Sequence, residues 1–374
     1  MKITELETIL CSCPIYPRVY VRVHTDEGIT GLGEAGFTQK ATTLKTYIED
    51  MERHLKGKDP LNIEYLWQYM YRSPYDRGGP VIMSTLSAID IALWDIAGKY
   101  FGAPINKLLG GRCRNKIRVY TGIDTNGEPK EVAERARAVV KEGYTAVRLH
   151  LIDGYENMRL PRIVHAHVEV VKAVREAVGD DVDICIDFHR RLRIFEAIAL
   201  AKELEKYHLL FIEDPIMPEN VDAMAEVARS TNIPIATGEN LYTLYQFREL
   251  LAKNAAQMVR VDLCLAGGIS QGRKITALAE ANFAGVVPHQ PWSPVATAAY
   301  VQFSAALHNL IILEYAPSKA EVIDKPVRFE KGYLQIPESP GIGVELNEKA
   351  LSRYKYEPRD APTLTREDGT ITDW

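Results

Sequence analysis

From Lys116 onward the chain repeats one pattern eight times: a short β-rich run, then an amphipathic helical stretch. The runs are IRVYTGI from Ile117, AVRLHL from Ala146, DICIDFH from Asp183, LLFIEDP from Leu209, IPIATGEN from Ile233, MVRVDLCLAGG from Met258, GVVPHQP from Gly285 and LIILEYAP from Leu310. Successive starts lie 29, 37, 26, 24, 25, 27 and 25 residues apart, room for one strand and one helix each time. Buried parallel strands joined by crossovers of one hand close into a barrel when eight stand in series. An open doubly wound sheet carries fewer strands and a Gly-rich first turn, and no such turn follows IRVYTGI. The reading is an α/β chain with a barrel over residues 116–325.

What precedes the barrel has a different texture. Residues 19–24 and 29–34 alternate as strands around the turn Asp26-Glu27-Gly28, and residues 81–99 place apolar side chains at helical spacing. This predicts an α+β capping domain over residues 1–115, with residues 326–374 as a C-terminal segment returning to it. At 374 residues the chain is too long for one ordinary domain. A net charge of −5 with both signs interspersed offers no nucleic-acid or membrane surface. The opening MKITELETIL has no signal-peptide core, and no apolar run approaches the roughly 18 residues a membrane span needs. Cys11, Cys13, Cys113, Cys185 and Cys264 are odd in number and scattered, as in a reducing cytoplasm.

Chemistry in such barrels sits at the carboxyl ends of the strands. Those ends carry, in order, Arg148 and His150, Asp187 and His189, Glu213, Glu239, Asp262, His289 and Glu314. In ICIDFHRR an apolar strand closes on an acid, a spacer and a histidine, and at period two Asp187 and His189 share a side. Asp187, Glu213 and Glu239 end neighbouring strands. Three converging carboxylates repel unless a cation meets them, and oxygen-only ligands favour Mg²⁺ over softer ions. The bland alternative pairs these acids with arginines or lysines. Asp262 beside His289 would fix the imidazole tautomer and leave its other nitrogen as a general base. His189 is then a second acid/base group, or else a metal ligand. A base facing a chelated acid suits proton abstraction beside a carboxylate, and a second proton donor lets a β-hydroxyl leave as water.

These residues resemble the enolase superfamily in its mandelate racemase subgroup. D-F-H at Asp187, RGGPVIMS from Arg77 and ALWDIAGK from Ala92 are similar to D-galactonate dehydratases, while E-D-P from Glu213 and A-V-R from Ala146 look more like D-mannonate dehydratases. LLGG from Leu108, SPGIGVELNE from Ser339 and the tail to Trp374 extend the likeness over nearly the whole chain. The resemblance implies a modified TIM barrel, (β/α)₇β, under an enolase-like cap. It implies one Mg²⁺ per subunit on Asp187, Glu213 and Glu239. His289 would be the base supported by Asp262, and His189 the acid for the departing 3-hydroxyl. Glu314 would sit near the substrate, and cap loops at residues 14–18 and 75–79 would close over it. From their own chemistry, Arg148 should hold the substrate carboxylate and His150 a hydroxyl, and Trp292 is a further candidate for the pocket. The substrate would be an acid sugar, with no nucleic-acid or membrane partner, and the assembly a dimer or octamer.

Departures leave the sugar open. Arg148 and His150 stand where many relatives carry Lys-x-Lys, and galactonate dehydratases a lysine followed by asparagine two on. Leu160 replaces the tyrosine of mannonate dehydratases, and Asn240 the arginine of galactonate dehydratases. A racemase or epimerase of a 2-hydroxy acid would use the same parts, and a binding protein could keep the barrel alone. A hydrolase of the amidohydrolase kind lacks its H-x-H on the first strand. Two further signals read as structural, His165-Ala166-His167 as helix surface and Gly267-Gly268 as a tight turn rather than a phosphate cradle, while Trp292 divides evenly between lining the pocket and packing under its loop.

Overall fold

Three antiparallel strands open the chain, β1 (Ile3–Ser12), β2 (Pro17–Thr25) and β3 (Thr30–Ala35), lying in that order. The computed structural model describes residues 1–13, 16–317 and 322–373. Helices α1 (Ala41–Leu55), α2 (Ile63–Arg72) and α3 (Pro80–Tyr100) pack behind the sheet. On α1 the buried residues Leu44, Ile48, Met51 and Leu55 recur every three or four positions, one apolar stripe. β3 lies against the backbone of α3. A Cβ at Gly31 or Gly33 would stand 2.0 Å from the carbonyl oxygen of Ala92 or Ala88, so only glycine fits. By length and apolarity α3 could cross a membrane, which corrects the expectation that no run approaches that length. It is instead mostly buried, the central helix of the cap core.

After the short α4 (Ile105–Leu108) come eight strands: β4 (Lys116–Gly122), β5 (Ala146–His150), β6 (Asp183–Asp187), β7 (Phe211–Glu213), β8 (Ile235–Thr237), β9 (Met258–Val259), β10 (Gly285–Val286) and β11 (Leu313–Glu314). Between them lie α5 (Pro129–Lys141), α6 (Leu160–Val178), α7 (Ile194–Leu204), α8 (Val221–Arg229), α9 (Leu244–Ala252), α10 (Gly268–Ala281) and α11 (Pro294–Ala305). Every neighbouring pair from β4 to β10 is parallel, β11 pairs with β4, and a parallel bridge between Val286 and Leu310 closes the ring. Eight strands and seven intervening helices make a (β/α)₇β barrel. Tyr120, Ala146, Cys185, Phe211 and Ala236 of the strands, with Val287 and Ile312 next to β10 and β11, form a small apolar cluster.

The chain then runs through β12 (Phe329–Glu330) and β13 (Tyr333–Gln335), α12 (Glu348–Leu351) and the hairpin β14 (Leu364–Thr365) and β15 (Ile371–Thr372). This segment touches the cap repeatedly. Ile342 N–H donates to Asp95, Arg22 pairs with Glu348, and Ser12 exchanges hydrogen bonds with the backbone of Glu357. Cap and barrel also meet at the N-terminus of α10. The amides of Gly267 and Gly268 donate to Ser87 Oγ on α3, at 2.8 and 3.2 Å, and Ser270 N–H donates to Asp90 at 2.9 Å. Those glycine amides are therefore committed to the cap.

His167 corrects the surface reading of H-x-H. It is buried on α6, while His165 is exposed. Its Nε2 accepts from Ile152 N–H at 2.9 Å, so Nδ1–H donates to the Ile163 carbonyl at 2.6 Å. Residues two apart on a helix do face different ways, and here one of them faces the barrel. Burial lowers the imidazole's pKa, so the fold needs the neutral form. This stabilisation is present above the unfolded value of about 6.5 and is lost as pH falls through it. His167→Gln should flatten the pH dependence of unfolding free energy just below about pH 6.5 by up to ~1.4 kcal/mol per pH unit. Urea titrations of both proteins across that window measure it.

Candidate active site

Strand register brings the expected acids to one rim. Asp187 stands opposite His150 on β5 and opposite Glu213 on β7. Glu239 follows β8 through Gly238, whose φ of 130° and contact with the Phe247 ring exclude a side chain. Asp262 and His289 follow β9 and β10, and Glu314 ends β11. Arg148, His150, Asp187, His189, Glu239, His289 and Glu314 line a single cavity of about 360 Å³. Glu213 and Asp262, fully buried, lie beneath it.

Asp187 and His189 share the cavity for a different reason than strand alternation. β6 stops at Asp187, and His189 and Arg190 take left-handed backbone conformations, φ 50° and 65°. His189 N–H folds back onto Asp187 Oδ1 at 2.6 Å. Opposite them, His289 Nδ1 meets Asp262 Oδ2 at 2.7 Å. Asp262 also accepts from Tyr300 O–H, Cys264 N–H and the Trp292 indole N–H at 2.7 to 2.8 Å. Trp292 is thus an Asp262 partner and packs edge-on against His289, outside the cavity lining. His289 Nε2 faces Glu239 at 3.4 Å.

Two arginines not picked from the sequence, Arg260 and Arg190, complete the site beside Arg148. Arg260, fully buried, puts Nη2 within 2.8 Å of both Glu213 and Glu314, and its Nη1 donates to the Tyr120 hydroxyl at 2.6 Å. Arg190 pairs with Glu239 and with Asp214. Arg148 pairs with Glu213 at 3.0 Å and Glu314 at 2.7 Å. A signal for Arg260 was present: in MVRVDL it lies two positions before Asp262, on the same side of an apolar run. Of the expected cap loops, Pro14 and Ile15 lie outside the described residues, as does Trp374. Tyr75 is fully exposed and does not line the cavity.

The buried acids here are Asp187, Glu213, Asp214, Glu239, Asp262 and Glu314, against the guanidiniums of Arg148, Arg190 and Arg260. Positive charge is short. Burial and the neighbouring Asp187 push Glu213 well above the carboxylate range despite Arg260 and Arg148. For Glu239 burial pulls upward, but His289 and the arginines outweigh it and hold it at about 2. Burial disfavours charge on both histidines. At His289, Glu239 and Asp262 overcome this and raise it to about 9; His189, flanked by Arg190, falls to about 4.

Whether these acids fit a metal ion has two parts. The donor set is right for a hard dication: oxygen only, buried and over-supplied with negative charge. As placed, however, the acids are bridged by arginines, and among the described residues no three potential ligands stand together. The bland alternative of arginine pairing is therefore what the side chains adopt. Sites now taken by Arg148 and Arg190 would have to be ceded to the ion.

Residues 11–110 match the mandelate racemase / muconate lactonizing enzyme N-terminal domain, and residues 131–350 the enolase C-terminal domain-like family. D-galactonate dehydratases of Variovorax paradoxus and Ralstonia pickettii are 36% and 35% identical, each aligned over all of both chains. Among solved structures, an Agrobacterium radiobacter enolase bound to sodium and L-malate superposes with TM-score 0.94 at 33% identity, covering all of both chains. A dehydratase from Salmonella Typhimurium gives 0.89 at 37%, covering 94% of this chain and 98% of that one.

Removing Arg260 would strand three buried carboxylates. Arg260→Met should lower unfolding free energy by about 3 kcal/mol or more, since a broken buried ion pair leaves charge uncompensated. Chemical denaturation reads the loss, and an undiminished midpoint would disprove the bracing role.

Proposed function

The chain belongs to the enolase superfamily, in the mandelate racemase / muconate lactonizing enzyme family, and from that premise we propose a magnesium-dependent acid-sugar dehydratase. It is a hydro-lyase. The substrate in this reading is an aldonate, such as galactonate, mannonate, gluconate or a pentonate, and the product a 2-keto-3-deoxy acid. The observation that carries it is the pair of imidazoles on one cavity: His289, bound to buried Asp262, and His189.

Asp187, Glu213 and Glu239 would hold one ion per subunit. When bound, Mg²⁺ supplies the missing positive charge and stabilises negative charge developing on the substrate carboxylate. His289 must first shed the extra proton that the facing Glu239 favours; its neutral Nε2 then removes the proton alpha to that carboxylate while Asp262 keeps the Nδ1 proton in place. The electron pair left behind expels the 3-hydroxyl, which takes a proton from His189 and departs as water. The resulting enol then ketonises. Held near 4, His189 is neutral beside Arg190, and an anionic substrate drawn next to it raises its hold on the proton it must give. Arg148, fixed by Glu314, offers its charge to the carboxylate end, and half-exposed His150 offers its ring to a hydroxyl. The reaction belongs to a reducing cytoplasm, where the five cysteines stay free thiols, and to a dimer or octamer.

His150, 3.6 Å from Asp187 and facing the same cavity, also supports an epimerase reading. One experiment separates the two. Hexonates and pentonates are incubated with Mg²⁺ in deuterium oxide, and keto acid and recovered substrate are analysed. Keto acid is expected; recovered substrate deuterated and inverted, without keto acid, would establish the epimerase. His289→Asn should cost roughly 10²–10⁴ in turnover and abolish α-deuteration, as for loss of a general base. His189→Asn should lose keto acid but still exchange the α-proton. Loss of both processes in that variant would remove His189 from the role of acid.

A further inference from the structure

The two loops that carry Asp262 and His289 are gripped by the end of one cap strand. Gly36 N–H, just past β3, donates to the Cys264 carbonyl at 2.9 Å, two residues after Asp262. Glu34, fully buried in β3, reaches the other loop. Its Oε1 accepts from Ser293 N–H at 3.1 Å, and its Oε2 accepts from Ser293 Oγ–H at 2.5 Å and Ala296 N–H at 3.1 Å. Arg18 on β2 joins the same junction. Its Nη1 stands 4.0 Å from Glu34, its Nη2 donates to the Pro291 carbonyl at 3.4 Å, and its guanidinium lies over the Trp292 ring.

Capping alone does not account for Glu34. The N-terminus of α11 already has a local cap in Ser293, whose hydroxyl accepts from Val295 N–H at 3.1 Å. A neutral group could serve the remaining amide without the cost of burying a carboxylate, and burial does push Glu34 above the usual carboxylate range. What the carboxylate gains is a second element: it fixes the backbone between His289 and α11 to a different domain. That backbone aims the imidazole, and Trp292 on it holds Asp262.

We propose that Glu34 is a positioning residue for proton abstraction, setting the loop from Gln290 to Ser293 and with it the His289–Asp262 pair. The inference rests on the dehydratase reading for its kinetic part and on the loop itself for the rest. In the full-length, magnesium-loaded protein, Glu34→Gln replaces one acceptor oxygen with a donor facing an N–H. Turnover should fall on the order of tenfold, because misaimed catalytic groups lose rate without losing binding, while KM stays within about twofold. The primary isotope effect with 2-deuterated substrate should rise. In the same variant the Trp292 indole N–H resonance should shift, and the Ser293 and Ala296 amides should lose protection from hydrogen exchange. A purely structural glutamate would lower the melting temperature and leave the isotope effect alone. An unshifted Trp292 resonance with unchanged amide protection overturns the proposal, whatever turnover does. Absence of keto acid with wild-type protein overturns the dehydratase reading instead, and the resonance still decides this one. Should Glu34→Gln fail to fold, Ser293→Ala removes the hydroxyl donor to Glu34 together with the cap on Val295 N–H, so the Trp292 resonance is the readout there: it should move the same way by less, and no movement overturns the proposal.

Discussion

The site depends on buried negative charge meeting too little positive charge. Arg260 is the centre of that balance. Its guanidinium contacts Glu213 on β7, Glu239 after β8, Glu314 on β11 and the Tyr120 hydroxyl on β4. Only a closed ring can present residues from strands this far apart in sequence to one side chain. A planar fork with five donors suits the task, where a lysine would supply one compact charge. Guanidinium charge is fixed at any accessible pH, so the acids above it can change partners without the floor losing its charge. The remaining deficit sits on the acids nearest the cavity, where a cation or an anionic substrate with its cation would enter.

The cap does more than cover this rim. Its sheet and central helix are fused by the glycine contacts of β3 on α3, and the fused unit reaches two points of the barrel and one of the C-terminal segment. Ser87 and Asp90 meet the start of α10, Glu34 the start of α11, and Asp95 the amide of Ile342. Each contact is a buried acceptor serving backbone N–H groups that a helix or loop start leaves open. Two of those starts follow the strands that carry Asp262 and His289. The backbone that carries Asp262 and His289 is thus held in place by a domain that carries neither.

Much of the site was legible because a parallel barrel writes its active rim at regular intervals. Apolar runs ending in Asp187, Glu213, Glu239, Asp262, His289 and Glu314 need only the strand count to be brought together. Arg190 and Arg260 were harder. An arginine inside or just past an apolar run reads as a tolerated polar residue until its partners are known, and those partners lie 21 to 140 positions away. Glu34 and Asp90 were illegible for the same reason: each accepts from backbone amides of another domain, which leave no trace in side-chain pattern. His167 misled because helical spacing tells which residues diverge, not which of them faces inward. Trp292 divided evenly on sequence, and the hydrogen bond to Asp262 decided it.

Backbone strain marks where the chain departs from regular strand geometry to build function. His189, Arg190 and Asp214 all hold positive φ at the ends of β6 and β7, though none is glycine. Such conformations cost on the order of 1 kcal/mol each and persist only where the surroundings over-determine them. Here the determinants are visible: His189 N–H is held by Asp187, Arg190 N–H by the Asp214 carbonyl, and the Arg190 side chain by Glu239 and Asp214. Regular alternation would send Phe188, His189 and Arg190 to opposite faces in turn. Two left-handed residues in succession let Phe188 enter the core while the imidazole and the guanidinium both serve the rim. The strain is therefore the means by which one strand end delivers an acid and an imidazole to the cavity and a guanidinium to Glu239 on its lining. A strand of ideal geometry could deliver two of the three.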